Sequence, residues 1–170
     1  MTSHRQSITA LDARLYRRVR SLLLNHQRAE RALVAVVVTQ HAWSLAGLAA
    51  ILADGDRRHR WARANAAMGG AWAAAKLLAR TIKRPRPSFS DCPPARRKSD
   101  RESFPSTHAT VSFAAAVAVP PLLPAAPLLS VAAATAMARL LLGEHYPSDV
   151  AAGALIGSVV ATAVRRALPA

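Results

Sequence analysis

The apolar residues of this chain fall into long blocks separated by short charged stretches. From Ala32 to about Ala53 the run is broken only at Gln40 and His41, and roughly 20 apolar residues is the length that crosses a ~30 Å hydrocarbon layer. His41 inside it reads as a hydrogen-bonded packing residue. A polar turn, DGDRRHR (Asp54 to Arg60), precedes a second run from Trp61 to Ile82 whose alanines and glycines favour close helix contact. Prolines then forbid a continuous helix between Lys83 and Ser103. Apolar character resumes near Ala109 and continues to Gly143, punctuated by Pro120, Pro121, Pro124 and Pro127, which predicts two antiparallel helices, each short for a full span. A last helix is expected from Pro147 or Ser148 to about Val164, with proline in its first turn and Gly153 and Gly157 at small-xxx-small spacing. Before all of these, residues 1–30 place Leu11, Leu15, Val19 and Leu22 on one helical stripe, with Arg14, Arg17, Arg18 and Arg20 mostly off it. That helix either lies on a membrane surface or packs on its own domain.

The expected architecture is therefore all-α: a multi-pass transmembrane bundle of about five spans, residues 31–170, preceded by the basic amphipathic helix. Composition agrees, with 52% hydrophobic and 5% aromatic residues in 170. The formal charge of +14 admits nucleic acid or anionic lipid as a partner. The charge is confined to the N-terminal helix and the loops and is not interleaved with aromatics, which argues against nucleic acid. A single cysteine, Cys92, excludes an intramolecular disulfide, and no Cys/His cluster has metal spacing, so no metal or other cofactor is expected. The first residues do not predict a cleavable leader.

In this topology one side of the membrane collects the chemistry, across residues 76–149. RPRP brings Arg84 and Arg86, FPSTHAT brings Ser106 and His108, and ARLLLGEHYPSD brings Arg139, His145 and Asp149. Arginine offers phosphate a rigid fork of donors, and a helix N-terminus offers free N–H groups and a favourable dipole. Pro105 holds its predecessor extended and Ser106 is placed to cap, so this stretch reads as a phosphate seat with a histidine beside it. His145 and Asp149 are four apart across a turn. A carboxylate bonded to one imidazole nitrogen would fix the tautomer and free the other nitrogen to attack phosphorus.

The order Arg-Pro, Pro-Ser-x-His, Arg-x5-His-x3-Asp resembles the type 2 phosphatidic acid phosphatase family, membrane lipid phosphatases that share a site with vanadium haloperoxidases. The resemblance covers about residues 61–165. It implies metal-independent hydrolysis of a lipid phosphate, such as a polyprenyl phosphate or diphosphate, a polyprenyl-linked sugar phosphate or a phosphatidic-acid-type lipid, through a phosphohistidine. His145 would be the nucleophile, Asp149 its orienting partner and His108 the acid for the leaving oxygen. Arg86, Arg139, Ser106 and backbone N–H groups, with Arg84 and Thr107 beside them, would hold the phosphate.

Three positions depart from the family pattern. Ala138 stands where serine usually precedes the arginine, Thr107 replaces the glycine of Pro-Ser-Gly-His, and the lysine seven before the Arg-Pro arginine falls on Ala79 or Leu77. Lys83, nearer the loop, is the expected substitute; Lys76, a turn before Ala79, would need a shifted helix end. The alternative to an enzyme is an inactive membrane protein that keeps a lipid-phosphate site. Arginines of the N-terminal segment and Lys83, Arg84, Arg86, Arg96, Arg97, Lys98 and Arg101 of the motif loop place both on the cytoplasmic side by the positive-inside rule. The sequence carries no indication of oligomeric state.

Overall fold

The computed structural model describes residues 2–38, 45, 49–95, 102–120 and 122–168. Its named helices are α1 (Thr2–Ser21), α2 (Gln27–Val38), α3 (Arg58–Ile82), α4 (Thr107–Ala118), α5 (Ala125–Leu141) and α6 (Pro147–Ala167), with a further helical stretch at residues 49–53. The boundaries follow local chemistry. At the polar turn Asp54 accepts hydrogen bonds from the Arg57 N–H and the Trp61 indole, fixing the entry to α3. Lys83 ends α3 in the left-handed conformation, its N–H returning to the Ala79 carbonyl. Pro124 sits at the N-cap of α5, and Pro147 occupies the first turn of α6, where a missing N–H costs nothing. Residues 39–44 and 46–48 of the Ala32–Ala53 run, His41 included, lie outside the described residues.

The bundle is packed through its smallest side chains. α3 buries Ala64, Ala67, Ala71 and Ala75, and the first three meet Ala114 and Ala118 of α4 and Ala161 of α6 in one cluster. α4 and α6 approach closest: a Cβ on Gly157 would fall on the Thr110 carbonyl oxygen, and one on Gly153 would fall 2.7 Å from that of Ser106. The small-xxx-small spacing thus brings α6 into backbone contact with α4. Large apolar side chains point the other way. Trp72, Leu77, Leu129, Met137, Leu155 and Val159 are all exposed, Leu155 at 65%. Small inside and large outside is the arrangement of helices whose solvent is lipid. Among the described residues α6 alone is long and apolar enough to span a membrane, where the sequence predicts about five spans; α4 and α5 are apolar but shorter.

α1 differs from the sequence expectation in the face it packs. Leu11, Leu15 and Leu22 are exposed, while Asp12, Tyr16 and Arg20, one turn apart on another face, are buried. The physical reason is what lies underneath. The loops below α1 present carbonyls and an arginine that need partners once covered, and the polar stripe supplies them. Tyr16 Oη donates to the Cys92 carbonyl at 3.1 Å and Arg20 Nε to that of Pro93 at 2.8 Å. Gly143, with φ of 69°, passes directly beneath; a Cβ there would lie 2.7 Å from Tyr16 Oη.

Candidate active site

Three loops are tied together before any chemistry is placed on them. Pro85 and Glu102 form an isolated antiparallel bridge, and the Ser103 N–H donates to the Arg84 carbonyl at 2.8 Å, so RPRP lies beside the segment that leads into α4. The Ser106 N–H donates to the Asp149 carbonyl at 3.0 Å, joining the starts of α4 and α6. Both helices therefore direct their N-termini, the positive ends of their dipoles, to one place.

His145 lies at that place, almost wholly buried. Its Nδ1 is 2.7 Å from the Ser103 carbonyl oxygen. A carbonyl only accepts, so Nδ1 carries the proton and Nε2 keeps its lone pair. Nε2 faces two guanidinium groups, with Arg86 Nη1 at 3.2 Å and Arg139 Nη2 at 3.5 Å. The imidazole pKa is lowered well below its ordinary value, first by burial, then by the charges of Arg139 and Arg86, with His108 adding to the effect and the Ser103 hydrogen bond opposing it. A neutral imidazole with a free nitrogen aimed between two guanidinium forks is equipped to attack phosphorus.

The forks are themselves held. Arg139 is fully buried and ion-paired with the buried Glu144, and Arg86 Nη1 also donates to the Glu144 carbonyl at 2.7 Å. Ser106 occupies the N-cap position of α4 as expected, but its hydroxyl makes no capping bond; Oγ is buried and has no hydrogen-bond partner among the described residues. An unused buried donor beside a helix N-terminus suits an anion. Thr107 and His108 open α4, both half-buried.

Other residues singled out from the sequence are placed differently. Asp149 Oδ2 stands 3.9 Å from His145 Nδ1; the imidazole's hydrogen-bond acceptor is the Ser103 carbonyl, a backbone group that sequence reasoning missed. Asp149 instead accepts from the Tyr146 N–H at 2.9 Å, closing the first turn of α6, and from Arg84 Nη1 at 2.7 Å. Arg84 turns to other partners than His145. Its guanidinium is committed to Asp149, to Asp12 at 2.7 Å and to Ser148 Oγ at 2.7 Å, and it lies over the Tyr146 ring at 4.1 Å. Burial disfavours its charge, but the hydrogen bond to Asp12 and the carboxylate of Asp149 more than offset this and raise its pKa. Lys83 is exposed and Lys76 half-buried, and neither side chain makes a hydrogen bond or ion pair with a described residue. Arg96, Arg97, Lys98 and Arg101 lie outside the described residues. Asp12 and Glu144 were also missed; the one sequence signal for Asp12 is its i, i+4, i+8 spacing with Tyr16 and Arg20.

Known proteins are similar to this chain in sequence and in fold. The decaprenylphosphoryl-5-phosphoribose phosphatase of Mycolicibacterium smegmatis is 39% identical over 113 residues, 65% of this chain and 62% of that protein. The protein of the same name from Mycobacterium tuberculosis is 34% identical over 135 residues, 72% of this chain and 69% of that one. The chain thus spans a little under two thirds of the first relative and slightly more of the second. Among solved structures, the transmembrane PAP2-type phosphatidylglycerolphosphate phosphatase of Bacillus subtilis superposes with a TM-score of 0.73 at 20% identity, covering 94% of this chain and 85% of that one. LpxE of Aquifex aeolicus gives 0.69 at 20% identity, with coverage of 90% and 93%. These two share the fold. Residues 60–170, which include every residue gathered around His145, match the PAP2 superfamily, and the chain belongs to it.

Proposed function

We propose that the protein is an integral membrane phosphatase that hydrolyses a lipid phosphate through a phosphohistidine on His145. The observation that carries this reading is the His145 imidazole, proton fixed on Nδ1 by the Ser103 carbonyl and Nε2 set between Arg86 and Arg139. Phosphate would sit against Nε2, held by the two forks, the Ser106 hydroxyl and the first N–H groups of α4. In the first step the Nε2–P bond forms while the P–O bond to the leaving alcohol breaks, and His108 protonates that oxygen. In the second, water adds to phosphorus, His108 takes its proton, and the N–P bond breaks to release inorganic phosphate and neutral His145. No step requires a metal.

The substrate we favour is a polyprenyl-linked sugar phosphate, supported by the names of the two mycobacterial relatives. The prenyl chain would enter sideways among the alanine-rich helices, leaving the sugar phosphate at the charged loops. About five crossings, with the site on the cytoplasmic side, follow from the apolar runs and from the arginines of the N-terminal and motif segments.

The test is phosphate release by the purified full chain in detergent with excess chelator. Decaprenylphosphoryl-5-phosphoribose is compared with phosphatidic acid and phosphatidylglycerol phosphate. Turnover of the first in chelator is expected, and His145→Ala should lower it by about 10³-fold or more. Activity that disappears in chelator and returns with magnesium would overturn the mechanism; preference for a glycerolipid would overturn the substrate.

A further inference from the structure

α1 precedes the segment that matches the family, and its buried stripe reaches into the site's supports. Asp12, 4% exposed, makes the most consequential contacts. Its Oδ1 accepts from the Ser148 N–H at 3.0 Å; its Oδ2 accepts from the Ser148 hydroxyl and from Arg84 Nη2 at 2.7 Å. Arg84 then passes through Nη1 to Asp149 Oδ1 at 2.7 Å, and the other oxygen of Asp149 stands 3.9 Å from His145 Nδ1. One guanidinium thus bridges two buried carboxylates, one from α1 and one from α6.

From this we infer that Asp12 is a positioning residue for the phosphoryl-transfer site, acting through Arg84 and Ser148 on Asp149. The inference rests on His145 being the nucleophile. Two physical effects support the role. Arg84 is held between two carboxylates, and without Asp12 its guanidinium keeps only the ion pair to Asp149, so the geometry it imposes on that carboxylate is fixed from one side only. The Asp12–Ser148 bonds also anchor the first turn of α6, which fixes the carboxylate of Asp149 in the second position after Pro147 and with it the turn that carries His145. Displacements of about 1 Å in such supports cost on the order of 10²-fold in rate. Tyr16 and Arg20, further along the same face, tie α1 to the loop carbonyls and keep Asp12 in register.

The experiment measures kcat and KM separately for full-length Asp12→Asn, an isosteric change that removes the charge and keeps an acceptor for Ser148. Arg14→Ala, on the exposed face of α1, is the control expected to match wild type. Asp12→Asn should lower kcat by about 10- to 100-fold with KM changed less than about threefold, and Asp12→Glu should recover part of the loss. In an Arg84→Met background the same Asp12→Asn change should cost less than about twofold, because the route through Arg84 is already cut. Wild-type kcat in a folded Asp12→Asn protein overturns the inference, as does an equal loss in both backgrounds. If Asp12→Asn does not fold, Arg84→Met alone removes the link from the other end, and unchanged kcat there is equally fatal. His145→Ala is run alongside: dead enzyme with a neutral Asp12→Asn refutes only the role of Asp12, whereas an active His145→Ala refutes the nucleophile and this inference with it.

Discussion

α4 and α6 run side by side, and their two ends are built on opposite principles. Where the helices begin, the packing is polar and buried: Ser106, Asp149, His145, Arg139 and Glu144 are all shielded from solvent. Two turns further along, the same pair of helices meets through Gly157, Ala114, Ala118 and Ala161, with no charged group in the cluster. The polar end places charges where each depends on a particular partner, and removing one partner leaves the other in low dielectric. The apolar end depends on absent atoms, since α6 approaches the α4 backbone only because two positions lack a side chain. Chemistry at one end and proximity at the other are thus separately vulnerable.

The largest expected effect breaks the polar end. Arg139→Ala removes a guanidinium that faces His145 Nε2 and leaves Glu144 buried without that ion-pair partner, so activity should be lost and stability should fall by roughly 3–5 kcal/mol. Replacing both, Arg139→Met with Glu144→Leu, should recover most of the stability and none of the activity. Thermal unfolding and phosphate release on the same preparations check this; a single variant as stable as wild type would contradict the assigned burial.

The next break is at the apolar end. Gly157→Ala puts a methyl group on the Thr110 carbonyl and should cost about 1–3 kcal/mol, whereas Gly69→Ala, on α3 with nothing within 4 Å of its Cβ, should gain about 0.5–1 kcal/mol. Thermal midpoints in the same detergent make the comparison, and equal shifts would mean that α4 and α6 do not approach so closely.

The smallest effect sharpens the electrostatic side. Because the folded state lowers the His145 pKa below 6.5, the unfolded chain takes up that proton first as pH falls. The residue therefore weighs nothing on stability above the ordinary imidazole range. Below that range it lowers stability by at most about 1.4 kcal/mol per pH unit, until the folded form also protonates. His145→Gln should flatten that part of the profile between pH 7 and 5 relative to wild type; identical slopes would place the imidazole in a more open setting.

What the sequence disclosed and what it withheld divide along the same line. Gly153, Gly157, the proline break after Val119 and the start of α6 at Pro147 are local or periodic signals, and the structure places them accordingly. The gathering of Arg86, Arg139 and His145 was legible because the motif residues have distinctive types at fixed spacing. In RPRP the motif order puts Arg86 among the phosphate holders with Arg84 beside it; that Arg84 turns to Asp12 and Asp149 depends on α1, whose partners no local pattern marks. The acceptor for Nδ1 was illegible for a different reason: every residue has a carbonyl, and nothing in the identity of Ser103 marks its own. On α1 the leucines masked the functional face, because a hydrophobic stripe dominates any reading by periodicity, and a buried polar stripe has meaning only once its partners are known.

Cys92 shows where α1 makes its presence measurable. The only thiol in the sequence lies in the motif loop but is 3% exposed, with Tyr16 bonded to its carbonyl, its Sγ 3.9 Å from the Arg17 carbonyl and its pKa raised by burial. With the helix seated the thiol is shielded, so its alkylation by a maleimide should be slow, and a change that loosens α1 should speed it.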